Sequence, residues 1–131
     1  MTAMPPDAVI EGRLHELGAN VGVSSWANGP GDQYAAHEHG YDKVLVAVRG
    51  AITFVLPATG DVIDLAAGDR LDLPAGTSHA ATVGAQGVRC LEAHLEVHHL
   101  GSGPRRVAGW VFGDAAVRAQ HPAETADGTG T

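Results

Sequence analysis

Two histidines separated by one residue, His37 and His39, stand in the stretch Gly31-Asp-Gln-Tyr-Ala-Ala-His37-Glu-His39-Gly-Tyr-Asp-Lys43. On an extended chain, side chains two residues apart leave the same face, so these two imidazoles can grip one ion. A second stretch, Gly68-Asp-Arg-Leu-Asp-Leu-Pro74-Ala-Gly76-Thr-Ser-His79, ends on a third histidine. It reads as a turn, a short strand closing at Pro74, a tight turn that needs Gly76, and a new strand opening on His79. A later segment, Val88 to Val97, alternates: Leu91, Ala93, Leu95 and Val97 on one face, Cys90, Glu92, His94 and Glu96 on the other. We read the apolar face as filling the interior and the polar face as meeting solvent or a second subunit. The opposite phase makes Glu92 or His94 available to a metal, and alternation alone does not choose between the two.

The elements that position these residues are short. Turn signals recur at Asn28-Gly29-Pro30-Gly31, Arg49-Gly50, Pro57 to Asp61, Ala67-Gly68-Asp69, Pro74-Ala75-Gly76 and Val83 to Gly87. Between them, Val44 to Val48, Ile52 to Leu56, Val62 to Leu65, Arg70 to Leu73, His79 to Val83 and Val88 to Val97 read as strands, and none carries a helical stripe. The chain is therefore an all-β sandwich or barrel. Gly18 to Trp26 and Val107 to Phe112 are expected as outer strands and Ala115 to Ala119 as a short terminal helix. Trp26 and Trp110 on those outer strands are expected to pack the core or a subunit contact.

A length of 131 residues suits one domain. The ordered part is expected over 9–113, with residues 1–8 and 114–131 as flexible tails. A net charge of −7 from 8 basic and 15 acidic residues leaves no basic surface for nucleic acid. Cys90, the one cysteine, can form no intramolecular disulfide and reads as a small buried hydrophobe. There is neither a leader-like segment nor an apolar run of membrane-spanning length, so the expected location is the cytoplasm. His15, His98, His99 and His121 lie outside the two histidine segments and read as surface residues. Aromatic residues are 5% of the chain, which argues against a large flat substrate.

Taken together, the two histidine segments resemble the paired motifs of the cupin superfamily, and the chain looks like a small single-domain bacterial-type cupin with a cupin 2 conserved barrel. Gly31, His37, His39 and Gly50 hold the spacing of the first motif, and Gly68, Pro74, Gly76 and His79 match the second at every step. The resemblance runs from about Gly22 to Val97. It implies a jelly-roll-like β-barrel of two packed antiparallel sheets. It also implies a divalent transition metal (Fe, Mn, Ni, Zn or Cu) held by His37, His39 and His79.

Two positions depart from the family. Its acidic fourth ligand is Lys43 here, and an asparagine often found four residues after the last histidine is Val83. Counting in twos from His39 puts Tyr41 and Lys43 on the inner face and Asp42 outside, unless a bulge near Gly40 shifts the phase. Lys43 and Tyr41 are thus the candidate catalytic residues, with Glu92 or His94 as a substitute fourth ligand. For Lys43, pairing with a barrel carboxylate, binding a substrate anion and acting as a base or imine-forming nucleophile all stay open. The resemblance implies an enzyme (a dioxygenase, isomerase or lyase) acting on a small oxygenated organic acid, with a non-catalytic ligand-binding or sensor domain as the alternative. The expected partners are a small, anionic molecule and a second copy of the chain, the homodimer drawing on Val107 to Phe112 as an apolar strand in need of cover.

Overall fold

The computed structural model describes residues 3–18, 21–101 and 103–113. The helix expected at Ala115 to Ala119 and the C-terminal tail lie outside the described residues. A helix α1 (Asp7–His15) precedes seven strands: β1 (Gly22–Asn28), β2 (Gln33–His37), β3 (Asp42–Leu56), β4 (Asp61–Ala66), β5 (Arg70–Leu73), β6 (His79–Leu95) and β7 (Arg105–Val107). A 3₁₀ turn, Trp110–Phe112, closes the described chain. All strand pairings are antiparallel, the architecture is the jelly-roll-like barrel, and no helix among the described residues is long and apolar enough to cross a membrane.

β3 and β6 are each longer than any strand the sequence suggested, because the glycine signals inside them bend a strand without ending it. Val44 to Val48 and Ile52 to Leu56 join through Arg49 and Gly50, and His79 to Val83 joins Val88 to Leu95 through Gly84 to Gly87. The β3–β6 register shifts on both sides of Arg49. One half of each strand joins β1, β5 and β7, and the other half joins β2 and β4, which makes the two facing sheets of the barrel. The bends also change parity. Inward residues are odd-numbered before the β3 bend (Leu45, Ala47) and even-numbered after it (Ile52, Phe54, Leu56), and β6 runs from Ala81 and Val83 to Val88 and Cys90.

Gly50 makes this bend possible. Its φ is +75°, and a Cβ there would lie 2.0 Å from the Gly87 carbonyl oxygen. Gly50→Ala is expected to cost about 3 kcal/mol or more, because neither backbone can yield without breaking the ladder. A fall of the urea midpoint at unchanged slope is the measurement.

The apolar residues form two layers. Inside the barrel lie Leu45, Ile52, Phe54, Leu56, Leu65, Leu71, Leu73 and their neighbours. Outside the larger sheet, Val44, Val46, Leu91, Ala93 and Leu95 pack against Ile10 and Leu14 of α1 and against Trp110 and Val111. This corrects the expected phase of the last strand: its apolar face is covered by α1, and Cys90, Glu92 and His94 point the other way. Val97 lies past the strand end and is exposed.

α1 begins at Asp7, inside the segment expected to fray. Pro6 sets the entry, Asp7 sits at the positive end of the helix dipole, and Arg13 and His15 occupy the last turn. Asp7 also accepts two bonds from the Arg89 guanidinium, at 2.7 and 2.9 Å. The outer strand expected over Val107 to Phe112 is instead the end of β7 and the 3₁₀ turn, in which Trp110 and Val111 are buried. Arg13 stacks 3.9 Å from the Trp110 ring and donates to its carbonyl. That apolar segment is covered within the chain, which removes the ground on which it suggested a homodimer.

Candidate metal centre

β2 ends on His37 and β6 begins on His79, and the two residues face each other across the β2–β6 ladder. His39 follows on the link to β3, where its carbonyl accepts the Gly76 N–H at 2.9 Å. The tight turn at Pro74 to Gly76 thereby brings the second histidine segment onto the first. The ring centroids lie 4.5 Å (His37–His79), 4.9 Å (His37–His39) and 5.4 Å (His39–His79) apart. One nitrogen from each ring falls within 4.8 Å of the others. Small ring rotations close this to the ~3.3 Å spacing that bonds of about 2 Å to one ion require.

Tautomers are set by the backbone. His37 Nδ1 donates to the Ala35 carbonyl at 2.8 Å and His79 Nδ1 to the Thr77 carbonyl at 2.9 Å, which leaves each Nε2 lone pair available to a metal. His39 Nε2 is buried and has no hydrogen-bond partner. An unpaired buried nitrogen costs about 1–3 kcal/mol, and a metal ion relieves that cost. The donor set therefore fits a divalent ion. Burial first, and then the nearby Lys43 charge, hold the His39 pKa down at about 4. His79 is likewise lowered, chiefly by burial, against the opposing bond to Thr77. Both imidazoles are neutral near pH 7, the form that binds metal.

Asp42 points away from these rings, as counting in twos required. It is buried and accepts the N–H groups of Ala75 at 2.8 Å and Leu100 at 2.6 Å. Burial pushes its pKa up, but the backbone donors of Leu100, Ala75, His99 and His98 outweigh burial and hold it below the ordinary carboxylate value. Such a depressed pKa contributes stability that is complete above the unfolded-state pKa and is lost as the pH falls through the folded value. Asp42→Ala is expected to cost about 2 kcal/mol near pH 7, where the half-buried N–H groups of Ala75 and Leu100 lose their acceptor. The deficit should shrink below about pH 4, and denaturant titrations at the two pH values check it.

Lys43 points inward. Its Nζ lies 3.5 Å from Glu92 Oε1, with side-chain exposures of 11% and 12%. Glu92 also accepts from Trp26 Nε1 at 2.9 Å and pairs with His94 Nε2. Burial raises the Glu92 pKa, but the His94 bond, the Lys43 charge and the Trp26 bond prevail and keep it ionised. Its carboxylate is thus committed to three donors, and neither Glu92 nor His94 joins the histidine cluster as a fourth ligand. Tyr41 is packed between the rings of His39, at 5.0 Å, and His94, at 4.2 Å. It buttresses both and is not part of the cavity wall. Burial and the Glu92 charge raise its pKa, so it stays protonated.

The cavity beside the histidines has a volume of about 270 Å³. His37, His79, Lys43, Glu92 and Asn28 give it polar groups, and Trp26, Tyr34, Leu45, Ile52, Phe54 and Ala81 give it apolar walls. Trp26, Tyr34 and Phe54 were not foreseen as cavity residues. For Phe54 a signal exists, since it alternates with Ile52 and Leu56 on an inward face. For Trp26 it does not, because its neighbours on β1 are Ser25 and Ala27.

No protein-family model and no curated protein matches the sequence. Solved structures do match the fold. A cupin superfamily protein from Desulfitobacterium hafniense is similar with a TM-score of 0.52 at 23% identity, over 60% of this chain and 70% of that one. This chain has the cupin fold. Two enzymes share the cupin barrel. A DMSP lyase, one of the pair RdDddP and RnDddQII, is similar with a TM-score of 0.55 at 27% identity over 67% of this chain. A single-substitution variant of oxalate decarboxylase from Bacillus subtilis is similar with a TM-score of 0.53 at 19% identity over 59% of this chain. The chain spans 44% of the length of the lyase and 21% of that of the decarboxylase.

Proposed function

We propose that this cupin is a metal-dependent enzyme, a dioxygenase, isomerase or lyase, acting on a small oxygenated organic acid held in the barrel cavity. The observation that carries the reading is His39 Nε2, buried without a partner beside two imidazoles whose Nδ1 atoms are already engaged. His37, His39 and His79 would hold the ion, and His37 is exposed, which gives a substrate access from the rim. A divalent ion held there supplies Lewis acidity and, if redox-active, electron transfer.

The other residues divide the work by charge. Imidazole ligands carry no negative charge and Glu92 is offset by Lys43, so the charge of a divalent ion held there would be left unbalanced. The head of the cavity therefore favours an anion, and Lys43 stands where it can share the substrate carboxylate. Glu92 holds Lys43 in place, anchored in turn by Trp26 and His94. Tyr41 keeps the His39 ring in position.

The test begins with the metal content of protein purified without a histidine tag. Protein loaded with Fe²⁺, Mn²⁺, Ni²⁺ or Zn²⁺ is then offered a panel of 2-oxo and 2-hydroxy acids. Oxygen uptake assigns a dioxygenase, and conversion without oxygen assigns an isomerase or lyase. Tight binding without turnover assigns the ligand-binding alternative, and failure to take up any metal removes the reading.

A further inference from the structure

We infer that the ligand of this cavity is a carboxylate joined by a short link to a single aromatic ring, the ring seated against Trp26, Tyr34 and Phe54. The inference rests on the proposed metal site for the acid head and on the cavity wall for the body. The chain has only two Trp, two Tyr and two Phe, yet one of each lines this cavity. Trp26 and Tyr34 meet edge to face at a centroid distance of 6.3 Å and an angle of 69°, and Phe54 lies 6.1 Å from the His79 ring. A low aromatic content overall thus coincides with a local concentration beside the histidines.

The register sets the distance between the two ends. His37 pairs with His79, while Tyr34 and Phe54 pair with Ala81, two residues further along β6. Two residues of strand are about 7 Å, so one to three atoms separate a head at the histidines from a ring at this level. The Trp26 N–H is taken by Glu92, so Trp26 offers a ligand its face or edge and no free donor. Leu45, Ile52 and Ala81 add aliphatic contact, and Asn28 is the polar group beside the apolar wall. A bare diacid or a short hydroxy acid would leave this surface wet. A ring buries it and meets the aromatic edges favourably.

Phenylpyruvate is the probe, with pyruvate lacking the ring and 3-phenylpropanol lacking the acid. Binding is measured by calorimetry on protein first shown to carry one Zn²⁺. Phenylpyruvate is expected to bind about 30-fold more tightly than pyruvate, the gain of burying one ring, and at least about tenfold more tightly than 3-phenylpropanol. Ala81→Phe, which fills the space for the ring, should bring phenylpyruvate down to the affinity of pyruvate. If that variant fails to fold, Phe54→Ala should cut phenylpyruvate binding about tenfold with pyruvate unchanged. Equal affinity for the two acids, or no binding of either to zinc-loaded protein, overturns the inference and leaves the metal site standing. Equal affinity for phenylpyruvate and 3-phenylpropanol overturns the acid head. A protein that takes up no zinc overturns the metal reading on which the head depends.

Discussion

His37→Ala and His79→Ala should each weaken Zn²⁺ or Co²⁺ binding by at least about a hundredfold, since each removes one of the three nitrogens available to the ion. The fold should survive. The inner core of Leu45, Ile52, Phe54, Leu65 and Leu71 and the outer layer around Ile10 and Leu14 are both complete without a metal. Metal titration beside far-ultraviolet circular dichroism makes the comparison. His37 is exposed, so its removal leaves stability nearly unchanged, whereas His79 is 3% exposed and its loss opens a small cavity costing about 1–2 kcal/mol. Unaltered metal content in both variants would contradict the assignment.

The second large effect is expected at Lys43. In the wild type its charge lies beside the histidines and is offset by Glu92 at 3.5 Å. Lys43→Met removes the cation and leaves Glu92 held by Trp26 and His94, so the site gains net negative character. Metal affinity should rise by about tenfold, the equivalent of 1–2 kcal/mol of removed repulsion. Lys43→Glu adds a second carboxylate and should tighten metal binding further, at the expense of the metal-free fold, where two acids then face each other. Carboxylate binding should follow the opposite order and be weakest in Lys43→Glu. Identical metal affinity in all three proteins would mean that Glu92 cancels the Lys43 field completely. The charge argument for an anionic substrate would then fall back on the ion alone.

Much of the site was legible in the chain. Histidines two residues apart on an extended segment share a face whatever surrounds them, and a Pro-x-Gly turn ahead of His79 dictates a tight reversal. The glycines at 31, 50, 68 and 76 all adopt positive φ, which explains why the motif spacing carries so much information. Asp42 outside and Lys43 inside agree with the two-residue period, although residues 38–41 link β2 to β3 outside any ladder and Tyr41, counted to the same face as Lys43, does not line the cavity.

What the sequence did not determine was phase beyond a bend. Leu91, Ala93 and Leu95 form an apolar face that fits a barrel interior or a helix-covered exterior equally well. The parity change at Gly84 to Gly87 decides between them, and it depends on how β6 crosses from one sheet to the other. Ile10 and Leu14 alone were too faint a stripe to announce the helix that covers that face. For the same reason the partnership of Lys43 with Glu92, 49 positions apart in the chain, became visible only through the β3–β6 register, which sets Leu45 opposite Glu92. Local spacing determined which side chains could share a face; the long-range pairing of the two bent strands decided which faces meet, and so gave the histidine site its neutralised lysine and its aromatic wall.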